Sequence, residues 1–211
     1  MKLFIVPAAP NPTKVMLYIA ERETAGTVLP IDQVVVNTLK GRHREPEHLA
    51  RNPFGTLPVL EMEDGRYLVE SLSIIRYLEA KYPNQNMLGA LDEESAALAW
   101  ELERIVELRV STLLARYVHA KNSPLGLPPN PTVAAEIEAA LPAALDYLES
   151  LMDDGRTYLA GNMVTPADCT LQAGCQFVRF GKLEVLGKRP GLQAWDARYR
   201  AREAAQSVLK F

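Results

Sequence analysis

Short apolar runs dominate the first third of the chain, and helical periodicity dominates the rest. Lys2 to Val6 reads as a buried strand closed by Pro7 and Pro10. Asn11-Pro12 predicts a helix start, with Asn11 as N-cap and proline at the first helical position. Val15, Leu17, Tyr18 and Ile19 supply that helix with an apolar face, and Gly26 lies just beyond it. Thr27 to Val36, carrying Val28, Leu29, Val34, Val35 and Val36, predicts a second strand reached by a right-handed crossover. The polar stretch from Asn37 to Asn52 predicts a loop and a short helix. Strand character returns over Pro58 to Met62, followed by a turn at Glu63-Asp64-Gly65-Arg66 and a returning strand at Tyr67-Leu68-Val69. Glu70-Ser71 then opens a helix carrying Ile74, Ile75, Tyr77 and Leu78, which ends near Tyr82-Pro83.

Residues 83–91 have turn composition and predict a linker. Beyond it the pattern is helical throughout: Asp92 to about Ala120, Thr132 to Met152, a helix from Thr165, and shorter helices between Pro190 and Val208. The Pro-rich stretch Ser123 to Pro131 is a loop between the first two. The chain therefore divides into residues 1–82, a linker at 83–91 and an all-α domain over 92–211. The N-terminal order, βαβ-α-ββα, is that of a thioredoxin-like α/β domain.

Composition narrows the function. Hydrophobic content of 48% and charged content of 23% fit a folded globular chain, and a net charge of −3 gives no basic field for nucleic acid. No apolar run reaches the ~18–20 residues that span a bilayer. The opening, Met1 to Pro7, is too short for a secretory signal. Cys169 and Cys175 stand six apart in a helical stretch, which turns them to different sides and argues against a disulfide. Few cysteines suggest a reducing cytoplasm, and three histidines without a Cys/His cluster give no support for a metal.

Pro58, between a turn and a strand, is either an edge-strand device or a cis proline that bares the backbone of the residue before it. The surrounding pattern favours the second. Asn52-Pro53-Phe54-Gly55-Thr56-Leu57-Pro58-Val59-Leu60, a hairpin, and then Glu70-Ser71 at a helix start resembles the ligand site of glutathione transferases. The resemblance implies that glutathione pairs its cysteinyl portion with the main chain at Leu57, beside Pro58. Its γ-glutamyl carboxylate would take the Ser71 hydroxyl and free N–H groups at the helix start, and Glu70 would receive the ammonium group. Gly41 to Pro53 is similar to the plant-type and related bacterial members. There His43 matches a histidine that contacts the glycine carboxylate of glutathione, and Arg44 stands where lysine is usual. His48 reads as a surface residue. In the second domain, Tyr158 to Asp168 resembles the family's folding motif, with Thr165 and Asp168 forming a capping box.

One position departs from the family. Members activate the glutathione sulfur from the loop before the first helix, commonly with Tyr, Ser or Cys, and the matching residue here is Ala9. A protein-thiol redox step at that position is excluded. Asn11 is the candidate that stabilises the thiolate, with backbone N–H groups as the alternative. The acceptor pocket would lie between the domains, with Arg109, Arg116, Tyr117 and Phe180 as candidates by position. The resemblance implies a cytoplasmic homodimeric enzyme that conjugates glutathione to a small hydrophobic electrophile, or reduces a disulfide or peroxide with it. A non-catalytic binding or regulatory protein is the alternative. The expectation is glutathione as co-substrate, no metal, and neither nucleic acid nor a membrane as partner.

Overall fold

The computed structural model describes residues 1–83 and 87–211, so the expected linker at 83–91 lies partly outside the described residues. The first unit contains strands β1 (Lys2–Ile5), β2 (Asp32–Val35), β3 (Val59–Glu61) and β4 (Tyr67–Val69). Its helices are α1 (Pro10–Thr24), α2 (Pro46–Arg51) and α3 (Ser71–Lys81). The strands form one sheet in the order β2-β1-β3-β4, parallel between β1 and β2 and antiparallel elsewhere. This is the thioredoxin-like arrangement expected from the sequence.

β2 is shorter than the apolar run that predicts it. Val28 is 82% exposed, and Pro30 supplies no N–H, so the ladder begins only at Asp32. The start of α1 also differs from expectation. Pro10 occupies the first helical position, Ala9 is the N-cap, and Asn11 lies inside the first turn. Both prolines fit because the first turn of a helix leaves its N–H groups unbonded in any case. The Leu57–Pro58 peptide is cis.

The remaining helices are α4 (Glu93–Val106), α5 (Thr112–Asn122), α6 (Pro131–Leu151), α7 (Pro166–Phe180), α8 (Pro190–Arg200) and α9 (Glu203–Val208). A π turn over Glu107–Ser111 joins α4 to α5 in one helical run. Side chains close the starts of four of these helices, Glu149 accepting from the Gly191 and Leu192 N–H groups at the start of α8. Asp92 accepts from the Ser95 N–H, Asn130 from the Val133 N–H, and Asp168 from the Thr165 N–H and hydroxyl.

One apolar core runs through both halves. Leu3, Ile5 and Leu60 of the sheet pack with Val15, Tyr18, Ile74 and Ile75, and the core continues into the nearly all-buried α7. The other sheet face holds a small cluster of Phe4, Val36 and Val59, with the Arg51 guanidinium 4.2 Å from the centre of the Phe4 ring. Polar groups also cross between the halves. Lys14 of α1 is 1% exposed and pairs with Glu103 at 3.2 Å and with Glu107. The Thr170 hydroxyl donates to Glu103 at 2.9 Å, and Gln176 of α7 donates to the Thr13 hydroxyl at 3.2 Å.

Candidate functional site

Strand register brings the candidate residues to one end of the sheet. Val59, the first residue of β3, pairs with Phe4 near the end of β1 and with Val69, the last residue of β4. β2 runs parallel to β1 and ends beside it, Val35 opposite Ile5. The segments that leave this end are therefore 6–9, 36–44, 57–58 and 70–71.

Helices of the second half face them. A cavity of about 280 Å³ is lined by Val6, Pro7, Ala9, Thr38, Leu39 and His43 on one side. His119, Pro124, Leu125, Phe177 and Phe180 line the other. Its walls are apolar apart from the Thr38 hydroxyl and the two imidazoles. His43 is half-buried, its Nδ1 atom is buried without a partner among the described residues, and burial and then the Arg44 charge lower its pKa. The Arg44 guanidinium is exposed and unpaired among the described residues. Gly55 holds this loop close: its φ is +63°, and a Cβ there would sit 3.0 Å from the His43 carbonyl oxygen.

Two non-glycine residues with positive φ lie in segments that leave this end of the sheet, Ala8 at 67° and Glu70 at 70°. Each costs about 1–3 kcal/mol, a cost that recurs where a backbone must be aimed at a ligand. Glu70 precedes α3, its carboxylate is exposed, and no described residue bonds it. Among the described residues the Ser71 hydroxyl beside it also has no partner, and the first N–H groups of α3 are left free by the helix. Leu57 is half-buried, and its backbone N–H and C=O make no hydrogen bond among the described residues. The end of the sheet thus offers an acid, a hydroxyl, a helix start, a free main-chain edge and two basic side chains. That set suits an extended ligand with an ammonium group and two carboxylates.

Other expected residues fall elsewhere. Asn11 is exposed on the first turn of α1, makes no hydrogen bond among the described residues, and is not part of the cavity lining. Its expected role as N-cap belongs to Ala9 instead. Arg109 and Arg116 are exposed and outside the cavity. Tyr117 donates to Glu138 at 2.8 Å and lines a separate hollow against α6. Phe180 is in the wall, 4.8 Å between ring centres from Phe211. His48, expected at the surface, is 1% exposed beneath the 52–56 turn, because its Nε2 has a backbone carbonyl to bond there.

His119 is the residue that the sequence reading did not single out. It stands in the wall with its Nδ1 2.8 Å from the Ser123 hydroxyl and its ring against Phe177, and burial lowers its pKa below 6.5. A histidine followed four residues later by serine at a helix end was the available clue. Cys169 and Cys175 are both free and buried in α7, where burial pushes the Cys175 thiol up to about 12.

Residues 3–86 match the family model described as glutathione S-transferase, N-terminal domain, and residues 106–203 match that of the C-terminal domain. Glutathione S-transferase F10 of Arabidopsis thaliana is 33% identical over 183 residues, covering 84% of each chain. Glutathione S-transferase 2 of Saccharomyces cerevisiae is 29% identical over 216 residues, which span 100% of this chain and 90% of that one. The crystal structure of Gtt2 from Saccharomyces cerevisiae matches 99% of this chain and all of its own with a TM-score of 0.85, at 28% identity.

Proposed function

Because the chain belongs to the glutathione S-transferase family and is a transferase-type enzyme, we propose that it conjugates glutathione to a small apolar electrophile. The observation that carries this reading is the convergence of four ligand-type segments on one end of the sheet, opposite an apolar cavity of about 280 Å³. Glutathione lies along Leu57 and Pro58, its γ-glutamyl end at Glu70 and Ser71 and its glycine carboxylate at His43 and Arg44. The acceptor occupies the space against Phe177 and Phe180. Conjugation is the reading favoured because the cavity walls are largely apolar, which suits a small hydrophobic acceptor. Retention on immobilised glutathione, with turnover of an aryl halide, a hydroxyethyl disulfide and an organic hydroperoxide, tests the reading. Failure of the aryl halide alone would reassign the reaction.

The sulfur lands near Ala9, which has no polar side chain. A thiol of pKa ~8.5 needs ~2.7 kcal/mol to reach ~6.5, roughly one charge-assisted hydrogen bond and a helix start. In this reading Asn11 donates from the first turn of α1. His119 donates through Nε2 from the opposite wall, while its Nδ1 accepts from the Ser123 hydroxyl. Asn11→Ala and His119→Ala are each expected to lower kcat/KM at least about tenfold, with the pKa of bound glutathione raised by ~1 unit. Asn11→Asp should keep its thermal stability and lose activity, since its charge would repel the thiolate. Ultraviolet titration of the bound thiolate reads both, and a parent-like Asn11→Asp enzyme would remove that side chain from the mechanism.

The same reading makes the enzyme a cytosolic, bacterial-type member that functions in detoxification, divided at 1–82, 83–91 and 92–211. It is a homodimer. Phe54 is 67% exposed at the tip of its loop, and a hollow of about 280 Å³ between α4 and α6 is lined by Leu98, Leu102, Ile105, Tyr147 and Leu151. Seating Phe54 of one copy there in the other buries an aromatic ring worth ~1.5–3 kcal/mol. Light scattering at micromolar concentration should give twice the monomer mass, and Phe54→Ser should shift it toward the monomer. A parent that scatters as a monomer refutes the dimer.

A further inference from the structure

His48 is among the most deeply buried polar side chains, at 1% exposure, although nothing in its six-residue helix predicts burial. Its Nε2 lies 3.1 Å from the carbonyl oxygen of Thr56. A carbonyl only accepts, so the proton belongs on Nε2, and Nδ1 is buried without a partner among the described residues. The same oxygen takes a second hydrogen bond from the Asn52 side-chain amide at 2.9 Å, which also reaches the Thr56 hydroxyl at 2.9 Å. Two donors fill both lone pairs of one carbonyl.

The peptide joining Thr56 to Leu57 is trans and planar, so its C=O and N–H point in opposite directions. Fixing the oxygen on the side of His48 and Asn52 therefore aims the Leu57 N–H toward the other side. That N–H has no partner among the described residues. Left without its two donors, the peptide plane would rotate, and binding would have to freeze it again.

We propose that His48 is a positioning residue for glutathione: by holding the Thr56 carbonyl it presents the Leu57 N–H to the cysteinyl carbonyl of the tripeptide. This rests on the reading that glutathione pairs with Leu57. Its effect falls on the affinity of the free enzyme for glutathione and leaves the acceptor cavity alone.

The parent protein, labelled with ¹⁵N-histidine at pH 8, should show His48 protonated on Nε2. The Nδ1-protonated tautomer cannot donate to Thr56 and overturns the proposal. His48→Leu should raise the Kd for glutathione about tenfold and shift the Leu57 amide resonance in the free protein. His48→Gln, whose amide reaches about as far as Nε2, should restore both. A His48→Leu protein that is folded and binds like the parent overturns the proposal, and one that does not fold leaves the tautomer to decide. Glu70→Ala, measured in parallel, separates the two readings. If Glu70→Ala weakens binding and His48→Leu does not, only the positioning role fails. If neither does, the glutathione site itself is wrong.

Discussion

Replacing Glu70 with alanine is expected to weaken glutathione binding about 30- to 150-fold. Its carboxylate stands free at the start of α3, exposed and unbonded among the described residues, so nothing internal competes for it. In the proposed complex it meets the γ-glutamyl ammonium, and removing it leaves a charged donor without an acceptor. Hydrogen bonds of that kind are worth ~2–3 kcal/mol, which converts to the stated change in Kd. The backbone makes a second test available. With φ at 70°, Glu70 holds a conformation that glycine adopts without strain. Glu70→Gly should therefore match or exceed the parent in thermal stability while binding as poorly as Glu70→Ala. Calorimetry of both variants decides the matter, and unchanged affinity in Glu70→Ala would take the residue out of the site.

Asp168→Ala should lower stability by ~3–5 kcal/mol, the largest effect expected from one side chain outside the site. The carboxylate is fully buried and accepts four hydrogen bonds. One oxygen takes the Leu159 N–H at 3.0 Å and the Trp195 indole at 2.8 Å. The other takes the Thr165 N–H at 2.9 Å and its hydroxyl at 3.0 Å. Alanine would strand those donors where the protein closes off solvent. Asparagine can serve the first oxygen's pair and would turn its amide toward the second, so Asp168→Asn should recover about half of the loss. For a chain of this size ~4 kcal/mol corresponds to roughly 8–16 °C in Tm by scanning calorimetry. A fall of less than ~2 °C would show that Thr165 and Trp195 find other partners.

The contrast between these sites and the missed ones explains what a sequence makes visible. Thr165 and Asp168 are three residues apart, and Asp92 and Asn130 sit directly before their helices. Their partners are local, so spacing is enough. Asn11 was misplaced as a cap because Pro10 and Pro12 are both acceptable in a first turn, and only the tertiary path of the 6–9 loop chooses between them. Arg109 and Arg116 are candidates by position alone. The π turn at Glu107–Ser111 contains Arg109 and holds an extra residue, so the faces taken by Arg109 and by Arg116 after it do not follow from a regular helical period. His48 and His119 owe their environments to chain segments 8 and 58 residues away respectively, Thr56 and Phe177. Neither environment follows from a local period.

The ion pairs of Lys14 have a consequence for building hybrids from such proteins. Lys14 belongs to the first half and is buried in the folded chain, yet both of its acids, Glu103 and Glu107, come from the second. A helical half transplanted from a relative with apolar residues at those two places would bury the ammonium without an acid. Such an unpaired charge costs several kcal/mol, enough to unfold an otherwise well-packed fusion. Exchangeability of the two halves therefore requires these three positions to match, together with the second, partly buried pair between them, Glu21 with Arg202. A chimera that brings its own residue at 14 together with those at 103 and 107 should fold where the mismatched graft does not.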